Sequence, residues 1–129
     1  MKRLDKESVI GISALLVHAA NIDEIYSDKE KDLVRNFIKS YLIEEDVNEI
    51  LKQAEKVEKN SNQLLNYTNI IKENSNDIKK DIIENLWKVL ISDNTVDQYE
   101  ANLMRRICGL IYFSDKECGE IKLKLINNK

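Results

Sequence analysis

The chain has 129 residues, 43% of them hydrophobic and 33% charged, the balance of one globular domain rich in amphipathic helices and not of a disordered or fibrous protein. A net charge of -3 leaves no clustered basic excess, so nucleic acid is not an expected partner. With no proline and only three glycines, the usual punctuation of turns and hairpins is missing, which favours helices.

The first predicted helix covers residues 6–21. The residues before it have no apolar signal core, and no stretch is apolar enough to cross a bilayer, so a cytoplasmic location is expected. Val9, Ile12, Leu16 and Ala19 form one stripe with Ile10, Ala14 and Val17 beside it, so this helix is apolar nearly all round and should be central. His18, the only histidine, lies on it and reads as a core or boundary residue. The second helix begins at the capping box Ser27-x-x-Glu30 and turns Leu33, Val34, Phe37, Ile38 and Tyr41 inward. A third, over 44–59, places Val47, Ile50, Leu51, Ala54 and Val57 at helical spacing, and a fourth carries Leu64, Leu65, Thr68 and Ile71.

The fifth helix, over 77–91, buries Ile78, Ile82, Leu86, Val89 and Leu90 with Trp87 nearby. The sixth starts at Asp97-x-x-Glu100 and buries Leu103, Met104, Ile107, Cys108 and Ile111. The seventh follows Ser114-x-x-Glu117 and packs Cys118, Ile121 and Leu125. Cys108 and Cys118 match no metal-ligand spacing and read as small buried hydrophobes, reduced and unbridged.

A shift of seventy positions lays the chain on itself. Asp23 falls on Asp93, Tyr26 on Val96, Ser27 on Asp97, Glu30 on Glu100 and Arg35 on Arg105. Core positions follow: Leu16 on Leu86, Leu33 on Leu103, Val34 on Met104, Phe37 on Ile107, Ile38 on Cys108 and Tyr41 on Ile111. Generic amphipathic helices would reproduce the apolar face but not the order of acid, apolar residue, cap and acid in the turn. The repeat predicts that 9–41 and 79–111 form a pseudo-two-fold pair.

The two turns read Asp23-Glu24-Ile25-Tyr26-Ser27-Asp28-Lys29-Glu30 and Asp93-Asn94-Thr95-Val96-Asp97-Gln98-Tyr99-Glu100. With Ala14 to Ala20 before the first, Leu86-Trp87-Lys88-Val89 before the second, Leu103-Met104-Arg105-Arg106-Ile107 and the ending Ser114-Asp115-Lys116-Glu117, the chain resembles the TerB-like family. That family includes tellurite-resistance TerB proteins and the amino-terminal domain of DjlA-type co-chaperones, and the likeness is closest to the small stand-alone members. The resemblance implies one all-α TerB-like helical bundle over residues 1–129, no catalytic chemistry, and acidic turns that hold a divalent cation. The family's turn is Asp-Gly, an apolar residue, a cap and then Glu; here Glu24 and Asn94 replace the glycine, and His18 and Lys88 stand where relatives often carry an acid. Asparagine tolerates a left-handed backbone and glutamate does so poorly, which makes the second turn the better cation candidate.

Calcium or magnesium would find oxygen ligands in Asp23, Glu24, Ser27 and Glu30, and again in Asp93, Asn94, Asp97 and Glu100. The sixth-position glycine and twelfth-position glutamate of an EF-hand are missing. Helix capping explains the same acids without any ion. One histidine and two cysteines make no ordinary zinc site, and no local signature supports a Cys, His and Asp nucleophilic arrangement, so no enzyme is expected. Arg105 and Arg106, and the charged run from Lys52 to Lys59, read as solvated surface. Two function classes follow: a cation-binding accessory protein of a stress-response or tellurite-resistance-like system, and a protein-interaction module with an unidentified protein partner or a second copy of itself. A J domain needs a His-Pro-Asp motif, which a chain without proline cannot carry.

Overall fold

The computed structural model describes residues 4–21, 27–42, 45–60, 65–91 and 98–127, and these form seven helices with no strand among them. The helices are α1 (Lys6–Ala20), α2 (Asp28–Tyr41), α3 (Val47–Asn60), α4 (Leu65–Lys72), α5 (Asn76–Ile91), α6 (Gln98–Leu110) and α7 (Asp115–Asn127). Side-chain caps do the work that proline and glycine do elsewhere. The Asp5 carboxylate accepts the Ser8 N–H at 2.7 Å before α1, and this bond holds the Asp5 carboxyl below the usual carboxylate range. Asp46 accepts the Asn48 N–H at 3.1 Å, Ser75 the Ile78 N–H at 3.4 Å and Ser114 the Glu117 N–H at 3.3 Å, opening α3, α5 and α7.

The predicted central helix is central. Val9, Ile12, Leu15 and Leu16 on α1 are wholly excluded from solvent, and α2, α3, α4 and α5 surround it, α3 most extensively. α5 is the second axis, with Ile82, Ile83 and Leu86 enclosed between α1, α2 and α7. The buried side chains form one continuous cluster. Trp87 and both cysteines lie in it, as do Phe37, Leu103 and Ile107.

Several expected core positions sit at its margin, Val47 and Leu125 among them. Leu33 is half-buried because α2 meets its neighbours with the edge formed by Val34, Phe37 and Ile38, and one residue further round the helix is about 100° away. Tyr41 is half-buried with its O–H donating to Asp81 Oδ2 at 2.6 Å, so its ring packs on Phe37 while its tip reaches a polar partner. Val57 is 39% exposed. Leu64 lies outside the described residues.

The seventy-residue period appears in the helix starts: Lys6 and Asn76 begin α1 and α5, and Asp28 and Gln98 begin α2 and α6. It also appears in packing, since α3 lies on α1 and α2 as α7 lies on α5 and α6. The pair is not wholly alike. α2 packs against α1 and α5, whereas α6 leans on α4, a helix inserted after α3 that covers part of α1.

Candidate functional site

Of the first acidic turn, Ser27 and Glu30 are described and form a complete capping box. Ser27 is extended (φ -78°, ψ 165°) and its Oγ accepts the Glu30 N–H at 3.2 Å. Glu30 Oε1 in turn accepts the Ser27 N–H at 2.9 Å and the Ser27 O–H at 3.0 Å. Glu30 is 7% exposed, so its carboxylate is a buried structural acceptor tied to its own helix start. Asp23 and Glu24 lie outside the described residues. So do Asp93, Asn94 and Asp97 of the second turn; Glu100 falls in the first turn of α6, and its side chain is outside them too. Among the described residues no three potential ligands gather into a metal site.

A polar junction joins the end of α1 to α3. Asn21 Nδ2 donates to Glu58 Oε1 at 3.4 Å, and His18 Nδ1 lies 3.8 Å from the same oxygen. The His18 ring, 40% exposed, also leans on Tyr67 with centroids 6.3 Å apart, which makes it a boundary histidine. Arg105 and Arg106 are exposed, as expected.

A groove of about 600 Å³ lies between α1, α3 and α4. Its apolar lining is Ile10, Val57, Tyr67 and Ile70, and its polar lining is Asp5, Glu7, Ser8 and Gln53. Volume and mixed lining match those of small-ligand and peptide sites. The groove accounts for the exposure of Val57, which lines it in place of the core. Gly11 sets its floor: a Cβ there would collide with Ile70 Cδ1, so glycine lets α4 approach α1. The sequence reading missed this site because α1, distant in sequence, builds it with α3 and α4; an unexplained glycine inside an apolar helix was the one available signal.

The family profile described as tellurite resistance protein TerB matches residues 10–123. The chain belongs to the TerB family. The match spans both acidic turns and every helix start from α2 onward. Neither the curated proteins nor the solved structures returned a match. In this TerB-family chain no helix among the described residues is long and apolar enough to cross a membrane.

Proposed function

We propose that this TerB-family chain is a non-enzymatic accessory protein of a tellurite-resistance-like stress-response system and binds calcium or magnesium at its second acidic turn. The observation that carries the reading is the bond from Ser27 Oγ to Glu30 Oε1 at 3.0 Å. That hydroxyl gives the first turn's glutamate a donor, so the Ser27–Glu30 box is complete in itself. At the equivalent place in the second turn the sequence has Asp97, a carboxylate with no proton to give, with Glu100 three positions on and Asp93 upstream. A box of two like charges gains from a cation that a box of serine and glutamate does not need. Asn94 supports the same choice, because it accepts the backbone that the family gives to glycine.

An ion that binds the folded state raises its melting temperature. Calcium should raise it in the wild type and in Asp23→Ala, and should fail to do so in Asp93→Ala. Asp97→Ser should convert the second turn into a self-sufficient box and remove the calcium response while preserving the fold. If neither calcium nor magnesium at millimolar concentration moves the wild type, the cation reading is wrong.

A second reading is a protein-interaction module related to the co-chaperone domain, favoured by the groove between α1, α3 and α4. Val57→Arg would obstruct that groove from its exposed side without reaching the core. Loss of partner capture or of self-association in that variant, with an unchanged melting temperature, supports this reading. Retention of both contradicts it.

A further inference from the structure

The groove between α1, α3 and α4 combines an apolar wall with charge of a single sign. Its charged lining comes from the start of α1, Asp5 and Glu7, and no lysine or arginine is among the residues that line it. Lys6, the base between them in the sequence, is paired with Glu45 Oε2 at 3.6 Å. Asp5 is fixed at the start of α1 because its Oδ1 accepts the Ser8 N–H at 2.7 Å. A helix start carries about half a positive charge, so two carboxylates there outweigh it and leave that part of the groove negative.

The rest of the lining is apolar or neutral. Ile10 of α1, Val57 of α3 and Tyr67 of α4 supply apolar surface, and Val57 is 39% exposed to the space they enclose. Fewer than two turns of each helix contribute, from residue 5 to 11 on α1, 53 to 57 on α3 and 67 to 70 on α4. That extent suits one compact body better than a docked helix, which brings anchors from i to i+7 and flanks beyond them. The volume of about 600 Å³ also lies within the range of small-molecule sites.

We infer that the groove binds a compact primary amine with an apolar body, its ammonium at Asp5, Glu7 and Ser8 and its body against Ile10, Val57 and Tyr67. A primary ammonium has three N–H donors and no acceptor, and two carboxylates with a hydroxyl offer it an acceptor for each. A carboxylate ligand would meet like charge there, and an uncharged one would leave the acids unanswered. The inference rests on the second reading above only in taking the groove as a binding site.

The test is an amide NMR titration of the full chain with hexylamine, hexanol and hexanoate, which share one apolar body and differ in the head group. Saturable shifts are expected at groove residues of α1, α3 and α4. The amine should bind roughly fivefold more tightly than the alcohol, with hexanoate weakest, and added salt should narrow the difference. Glu7→Gln should weaken the amine several-fold and leave the alcohol unchanged, and Val57→Arg should remove the amine shifts without lowering the melting temperature. Acetylated lysine amide presents the same ammonium on a peptide backbone and should bind more weakly than hexylamine; tighter binding would give the groove to a partner's lysine and contradict the inference. Equal affinity for amine and alcohol overturns it while leaving the interaction-module reading to partner capture and self-association. No saturable groove shift from any of the three at millimolar concentration overturns it outright.

Discussion

The two halves of this TerB-family chain begin their helices in register yet use equivalent positions for different purposes. In the first half, Ser27 and Glu30 close a buried capping box, and Ile38 and Phe37 are plain core. In the second, the same places hold Asp97 and Glu100, two carboxylates where the first half has a hydroxyl and a carboxylate, and Cys108 and Ile107 in the core. α1 is enclosed almost all round, whereas α7 leaves Leu123 59% and Ile126 41% exposed. A duplicated pattern of apolar spacing and caps thus reproduces the scaffold, while the copies carry different side chains at these positions. The first half contains the enclosed axis α1, and the second ends in the more exposed α7.

The largest expected effect tests that division in the core. Leu16→Ala opens a cavity at a site with no solvent access and should lower unfolding free energy by about 4 kcal/mol, whereas Leu103→Ala, at 8% exposure beside a surface that can relax, should lower it by about 2 kcal/mol. Chemical denaturation of both variants measures the difference; equal losses would remove the distinction between anchor and periphery.

Gly11→Ala probes how α4, the helix with no counterpart in the second half, is fitted against α1. The new methyl meets Ile70 Cδ1, a side-chain end that can move, so a loss of about 1 to 2 kcal/mol is expected. Pairing it with Ile70→Val should recover part of that loss, and no recovery would mean that the backbones, rather than this side chain, set the spacing.

At the helix starts, Ser27→Ala removes the hydroxyl that both accepts from and donates to Glu30 and should destabilise by about 1 kcal/mol. Asp97→Ala removes one of two like charges and should destabilise by less in the absence of calcium. The reverse order would mean that Asp97 is the stronger cap.

The smallest effect is a pH dependence. The Asp5 carboxyl is held low by the Ser8 N–H, so its contribution is present above the ordinary aspartate value of 3.8 and is lost as pH falls through its lower folded value. Asp5→Asn keeps a capping oxygen without the charge and should flatten that part of the acid melting profile. An unchanged profile would leave Asp5 without a linked proton.

Much of the scaffold was legible because the signals are local. Ser27 and Ser114 cap where the sequence places caps, and the stripe from Val9 to Ala19 announces a helix enclosed on most sides, whereas the caps at Asp5, Asp46 and Ser75 come from the structure. Apolar spacing says which face turns inward but not how far the neighbours extend over it, and for that reason Leu33 and Val57 were placed deeper than they lie. The groove and the turn after α6 were illegible for a different reason. Each depends on tertiary geometry: the close approach of α4 at Gly11, and a left-handed turn at Tyr112, a residue type that does not advertise one. The acids of the two turns were visible at once; Ser27 and Glu30 proved to be engaged with each other, and Asp23, Glu24, Asp93, Asn94 and Asp97 lie outside the described residues.

The most direct test of the proposed asymmetry is an amide NMR titration of the full chain with calcium and then with magnesium. The account predicts saturable shifts at residues 93–100 and little change at 23–30. Shifts confined to the first turn, or none at either turn up to millimolar ion, would contradict it.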